Sequence, residues 1–284
     1  MTCKRLILLC SLVSLLAAVN AAGQYSHIID VSGTSHNLSV SGGSSSVGNA
    51  VFATKETEIC FFCHAPHQLL STADKTVALP PNQQSPLWNH YLSKTASYGV
   101  YSSTSFNALG TDITDLGGAK AGSAAVSNLC LSCHDGTVGV NTLYHGQYGT
   151  GSPAMSCNGK AVAANSPCLM PDASIIGNPS TKAGLPSLAD LHPINFTYNA
   201  ALAAKTVDLI TPTVNASGIG GARMGVPGSV AGVFLPLFQT PGGGANYKMQ
   251  CATCHDPHSE RNGRPMLRDT TTASALCLDC HGHA

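Results

Sequence analysis

The stretch Cys251-Ala252-Thr253-Cys254-His255-Asp256-Pro257-His258, followed by Leu276-Cys277-Leu278-Asp279-Cys280-His281-Gly282, decides how this chain is read. Each half places two cysteines two residues apart and a histidine directly after the second. The same two forms occur upstream as Cys60-Phe61-Phe62-Cys63-His64-Ala65-Pro66-His67 and Leu129-Cys130-Leu131-Ser132-Cys133-His134-Asp135-Gly136. The order is therefore a doubled unit written twice. The first form adds a second histidine after a proline; the other form is led by a leucine. The second doublet, 251–284, is compact. The first spans about 60–134, and a loop-rich insertion over about 135–245 separates the two.

The spacing has a chemical reason. On one helical turn, residues i and i+3 share a face. Two such thiols reach the two vinyl groups on one porphyrin edge and form thioethers, and the next residue then comes beneath the iron. C-x-x-C-H is the c-type haem attachment signature. Four copies predict four covalently bound haem c groups, held by Cys60 and Cys63, Cys130 and Cys133, Cys251 and Cys254, and Cys277 and Cys280. His64, His134, His255 and His281 are the proximal iron ligands. Zinc sites pair two C-x-x-C units and need no histidine after each. A thiol–disulfide redox motif belongs in an alternating strand–helix pattern, which nothing in this sequence suggests.

Composition agrees with a chain built around such groups. Of 284 residues, 10% are charged and 6% aromatic, with a single Trp. An ordinary globular domain has about 25% charged residues. The 29 Gly and 16 Pro argue against long regular elements, since Gly costs backbone entropy and Pro removes a donor. The expected fold class is mostly irregular coil with a few short helices and minimal β structure. The formal net charge is zero, and nothing in it suggests the basic patch of a nucleic-acid binder. Gly242-Gly243-Gly244 lacks the Lys-Ser/Thr of a phosphate-binding loop.

Lys4 and Arg5 precede an apolar run, Leu6 to Val19, and a small-residue exit at Asn20-Ala21. Residues 1–21 read as a secretory signal peptide. The run is short of the roughly 20 apolar residues of a membrane span. Its removal takes two bases and no acid, and each ferric haem with two propionates adds about one negative charge. The assembled protein is therefore acidic. Export permits disulfides. Cys3 and Cys10 would leave with the signal, and two further cysteines lie outside the haem motifs. Cys157 and Cys168 are expected to form a bond worth on the order of 3 kcal/mol. Residues 22–284 are expected to form a single tetrahaem domain.

Twelve histidines exceed the four proximal ligands and leave candidates for the opposite iron face. His67 and His258 follow their own proximal histidines too closely to reach round one haem, and Pro66 and Pro257 fix the chain direction. A neighbouring haem is the better target: the second for His67 and the fourth for His258. His192, in Leu191-His192-Pro193-Ile194-Asn195-Phe196, is assigned to the third haem. His36, in Ser35-His36-Asn37-Leu38-Ser39, is assigned to the first-pair haem still lacking a ligand, or to a haem in a neighbouring subunit. His90 is placed beside the single Trp, Trp88. His27, His145 and His283 remain surface or packing residues by default.

These motifs resemble the doubled C-x-x-C-H cytochromes of metal-reducing bacteria. The linking stretches His36-Asn37-Leu38-Ser39, Pro86-Leu87-Trp88-Asn89 and His192-Pro193-Ile194-Asn195-Phe196 are also similar to that group. Four haems and an export signal bring the chain nearest to tetrahaem outer-surface cytochromes that polymerise into extracellular nanowires. The resemblance implies an irregular fold wrapped around four stacked bis-His haems, with one sixth ligand supplied by the adjacent subunit. His36 is the first candidate for that ligand and His27 the second. It further implies a homopolymeric filament, other electron-transfer cytochromes and extracellular electron acceptors as partners, and an extracellular or outer-surface location. A bis-His iron has no open position, so the expected chemistry is outer-sphere electron transfer and not enzymatic turnover. The alternatives are a soluble periplasmic tetrahaem shuttle and a multihaem reductase with one five-coordinate haem.

Overall fold

The structure, a computed structural model, describes residues 30–44, 49–64, 88–93, 95–108, 116, 126–144, 152–170, 176, 187–214, 222–224, 235–239, 247–260 and 265–282. Apart from Asp30 these lie in one compact unit, Val31–Ala284. The signal segment 1–21 and His27, His67, His145 and His283 lie outside the described residues.

Regular structure is sparse and short. The first sheet pairs β1 (Val51–Ala53), β2 (Met155–Cys157) and β3 (Lys160–Val162) in antiparallel order. The β2–β3 turn is Asn158-Gly159, both at positive φ, the two-residue connection that matches strand twist. Alternate residues Val51, Ala53, Met155 and Cys157 face inward and pack with Phe61, Phe62, Val140, Leu143 and Cys168. Cys157 and Cys168 stand at disulfide distance, with Cα atoms 5.9 Å apart. Beside them the backbone of Gly139 runs so close to Pro167-Cys168 that a Cβ would come within 2.8 Å of the Cys168 nitrogen. Only glycine fits there.

Two smaller sheets follow. β4 (Thr213–Val214), β5 (Ala222–Met224) and β6 (Leu235–Pro236) form one; β7 (Phe238–Gln239) and β8 (Tyr247–Lys248) form the other. A second core gathers Phe196, Tyr198, Leu202, Leu235, Leu237, Tyr247, Met249 and Cys280. A third holds Tyr98, Leu116, Leu131 and Leu188. Helices are α1 (Ser127–His134), α2 (Ala200–Ala203), α3 (Cys251–Cys254) and α4 (Ala275–Leu278). None of the described helices is long and apolar enough to cross a membrane.

Attachment cysteines sit on the rims of these cores. Cys63 and Cys133 pack against the first, and Cys254 joins Cys280 at the second. The small apolar clusters therefore do not fill one continuous centre. They line the places where the C-x-x-C-H turns meet.

Candidate haem-attachment site

Each motif forms a tight turn. Cys60 carries its carbonyl to the amides of Cys63 and His64, within the 3-10 turn Ile59–Phe62. In α3, the Cys251 carbonyl accepts from the His255 amide at 3.0 Å, and in α4 the Cys277 carbonyl accepts from the His281 amide at 2.8 Å. The sequence places two thiols one turn apart, and these local bonds keep them on one side of the backbone. Burial first, then neighbouring thiols, pushes the Cys63 thiol up to about 12. The Cys280 thiol is likewise raised to about 12 by burial and by Cys254.

The histidines come together in pairs from distant parts of the chain. His36 faces the proximal His134 with ring centres 6.1 Å apart. His258 faces the proximal His64 at 6.2 Å, with the rings 14° from parallel. His192 faces the proximal His281 at 6.4 Å and 76°. A metal–imidazole bond of about 2.0 Å puts the centres of two rings on opposite faces of one ion roughly 6.2 Å apart. All three separations match that value. Among the described residues, no three His, Cys, Asp or Glu side chains gather as a site for a bare metal ion.

Hydrogen bonds set the ring orientations. The Nδ1 atoms of His36, His192 and His255 lie 2.9, 2.9 and 2.7 Å from the carbonyl oxygens of Pro257, Pro193 and Pro265. A neutral ring that donates from Nδ1 keeps Nε2 free as a ligand. Asp256 Oδ1 accepts from the backbone amide of His258 at 3.1 Å and stands 3.6 Å from its Nδ1, a charge contact rather than a hydrogen bond. Burial lowers the pKa of His36, His64 and His192, which favours the neutral form that iron requires.

These placements differ from the pairing expected along the sequence. His258 lies against His64 of the first motif, not His281 of the fourth. His192 lies against His281, not His255. His36 lies against His134, in the first doublet as expected but on its second motif. The reason is the course of the backbone around 256–260. The His36 ring bonds the Pro257 carbonyl, and the Ser35 hydroxyl and amide both donate to Glu260 Oε1, at 2.5 and 2.7 Å. The N-terminal loop is thus sewn to the tail of the third motif, and His258 is turned towards the first doublet. His67 lies outside the described residues, and no described imidazole stacks against His255.

His90 is buried and spent on the backbone, with Nδ1 2.6 Å from Tyr91 O and Nε2 2.9 Å from Gly139 O. Burial lowers its pKa, so the neutral ring donates one of these contacts. Its ring centre is 6.4 Å from that of Trp88, which also meets His64 edge-on. The Trp88 Nε1 atom is buried without a hydrogen-bond partner. A carboxylate such as a haem propionate supplies the acceptor such an atom lacks. The paired rings, the cysteine turns and this indole donor fit haem c.

Asp135, directly after His134, was not legible as a site residue. Its Oδ2 accepts from Ser93, from Thr95 at 2.8 Å and from Tyr98 at 2.7 Å; its Oδ1 accepts from the Thr137 amide and hydroxyl. Burial opposes its ionisation, but these bonds outweigh it and lower the pKa. A fixed carboxylate therefore follows directly after His134 in the chain. The only sequence signal was the Asp-Gly that follows His134, a common turn pair.

The C-x-x-C-H turns are those of a haem-binding, electron-transfer class of protein. Residues 245–284 match the doubled CXXCH motif, which supports a multihaem c-type cytochrome family and indicates covalently bound haem c. No curated protein matches the chain.

Proposed function

We propose that the protein conducts electrons over long range through four covalently bound bis-His haems, as the subunit of an extracellular cytochrome filament. The observation that carries the electron-transfer reading is the set of three histidine pairs at the separation of axial ligands. Haem supplies the one-electron iron couple. The chain's own residues do the rest. The cysteine turns fix each macrocycle by two bonds. His36 and His134 would hold the second iron, His64 and His258 the first, and His192 and His281 the fourth. The backbone-bound Nδ1 atoms of His36 and His192 leave their Nε2 atoms as the ligand atoms. At these three haems both faces would be taken, leaving no place for a substrate. His–His ligation lowers potentials relative to His–Met.

The third iron has His255 and takes its sixth ligand from a histidine outside the described residues or from an adjacent subunit. The filament, the export signal and the partners rest on the resemblance and on the signal-like residues 1–21. The Cys157–Cys168 pair is read as an oxidised disulfide, in keeping with export.

Electron paramagnetic resonance of the oxidised holoprotein tests the electron-transfer reading: only low-spin ferric haem is expected, and a stoichiometric high-spin signal would point to a reductase. Electron microscopy of the sheared extracellular fraction tests the filament. Protein found only as periplasmic monomers would refute it.

A further inference from the structure

We infer that Gln250 and Ser127 form a buried clamp that sets the contact between the second and third haem-attachment motifs, and so governs electron passage between the two doublets. The inference rests on the reading that both motifs carry haem. Gln250 and Ser127 are 1% and 0% exposed. Gln250 Oε1 accepts from the Ser127 hydroxyl at 2.5 Å and from its amide at 3.2 Å. Ser127 Oγ in turn accepts from the amide of Cys251, the first cysteine of the third motif, at 3.0 Å. The first residue of α1 is thereby bonded to the residue before α3 and to the first residue of α3.

The clamp is anchored on its other side. Gln250 Nε2 donates to Asn195 Oδ1 at 2.9 Å, and the Gln250 amide donates to Thr253 Oγ1 at 3.0 Å. Asn195 is fully buried, at φ 61°, and its own amide donates to the Met249 carbonyl at 2.6 Å. Every hydrogen-bonding atom of the Gln250 side chain is therefore committed, and a buried network satisfied in this way is rigid.

What the clamp holds is the approach of the second motif to the third. Cys130 lies one helical turn beyond Ser127 on α1, and the Ser127–Cys251 bond sets that end of α1 against the start of α3. With haem on both motifs, the attached edges of the second and third haems would lie close together there. Cys63 of the first motif and Cys133 of the second pack against one core, and Cys254 of the third and Cys280 of the fourth share another. The Ser127–Gln250–Cys251 contact joins the two doublets, beside the approach of His258 to His64. Electron tunnelling falls steeply with edge separation, so residues that fix this approach govern passage across it. Gln250 and Ser127 touch no haem iron and act as positioning residues.

The test uses full-length holoprotein carrying Gln250→Leu, Ser127→Ala or the conservative Gln250→Glu. Haem content is counted by mass, haem–haem geometry is read from the exciton couplet in Soret circular dichroism, and internal electron equilibration is timed after pulse reduction. Gln250→Leu is expected to keep the haem count and the low-spin spectrum, weaken the couplet, and slow equilibration at least tenfold. Ser127→Ala should do so to a lesser degree, and Gln250→Glu, which keeps the Oε1 acceptor, should recover most of the rate. An unchanged couplet and rate in both Gln250→Leu and Ser127→Ala overturns the clamp while leaving the haem reading intact. Wild-type protein without haem at Cys130/Cys133 or Cys251/Cys254 overturns both.

Discussion

The second and fourth motifs read almost alike, Leu129-Cys130-Leu131-Ser132-Cys133-His134 and Leu276-Cys277-Leu278-Asp279-Cys280-His281, yet they sit in the molecule very differently. The second lies on an eight-residue helix, Ser127–His134. The fourth has only Ala275–Leu278, entered through Ala273 and Ser274 at positive φ. The second continues into Asp135, whose carboxylate gathers Ser93, Thr95, Tyr98 and Thr137. The fourth continues into Gly282, which donates its amide to the Asp208 carbonyl at 2.6 Å. One motif is a hub with buried polar partners. The other is a turn laid against the edge of a core. The haem-attachment code specifies only the turn; what surrounds it is set by partners drawn from elsewhere in the chain.

The largest expected effect crosses between the doublets. His258→Ala, a change in the tail of the third motif, should leave the first haem five-coordinate, because His258 faces His64. The oxidised variant should gain one high-spin haem and the reduced form should bind carbon monoxide. If no haem turns high-spin, the cross-doublet pairing is broken. If the fourth haem, and not the first, becomes high-spin, the sequence-order pairing is restored.

Asp135→Ala tests the hub. It strands three buried hydroxyls and should cost roughly 3 kcal/mol in denaturant unfolding, from several charge-assisted bonds with part of the loss recovered by water. An equal loss from Gly282→Ala would erase the contrast between the two motifs. Next in size, Cys157→Ser should cost about 2–3 kcal/mol if the pair is oxidised, without altering the haem spectrum. Asn199→Ala removes the cap in which Asn199 Oδ1 accepts from the Leu202 amide at 2.9 Å. That change, in the second core beside the fourth motif, should cost about 1 kcal/mol.

The smallest effect is one of pH. Burial opposes ionisation of Asp256, but its bonds from His258 and the Arg268 charge prevail and hold its pKa at about 2. A carboxyl depressed in the folded state stabilises it above the unfolded value of about 3.9. That stability is lost as pH falls from there through about 2. Acid titration of Asp256→Asn should show a shallower loss over that window, and an unchanged titration would remove Asp256 from the orientation of His258.

The four C-x-x-C-H turns were legible because the pattern is local: two thiols and an imidazole within one helical turn need no other part of the chain. The shortage of large side chains and the many Gly and Pro residues likewise announced short elements. The Asn158-Gly159 turn follows from residues that tolerate positive φ. The partners of those turns were not legible. His36, His192 and His258 stood out as candidates, but which ring each one meets depends on how the Ser35–Glu260 and His36–Pro257 contacts fold the N-terminal loop onto the third motif. Gln250 and Ser127 carried no pattern, and Asp135 only that of a turn pair, since a buried amide, hydroxyl or carboxylate acquires its meaning only from the groups brought to it. The sequence by itself determined where the C-x-x-C-H motifs lie and what chemistry they suit. The tertiary structure decided which histidines face one another and which motifs touch, because those contacts join residues far apart in the chain and no local spacing encodes them.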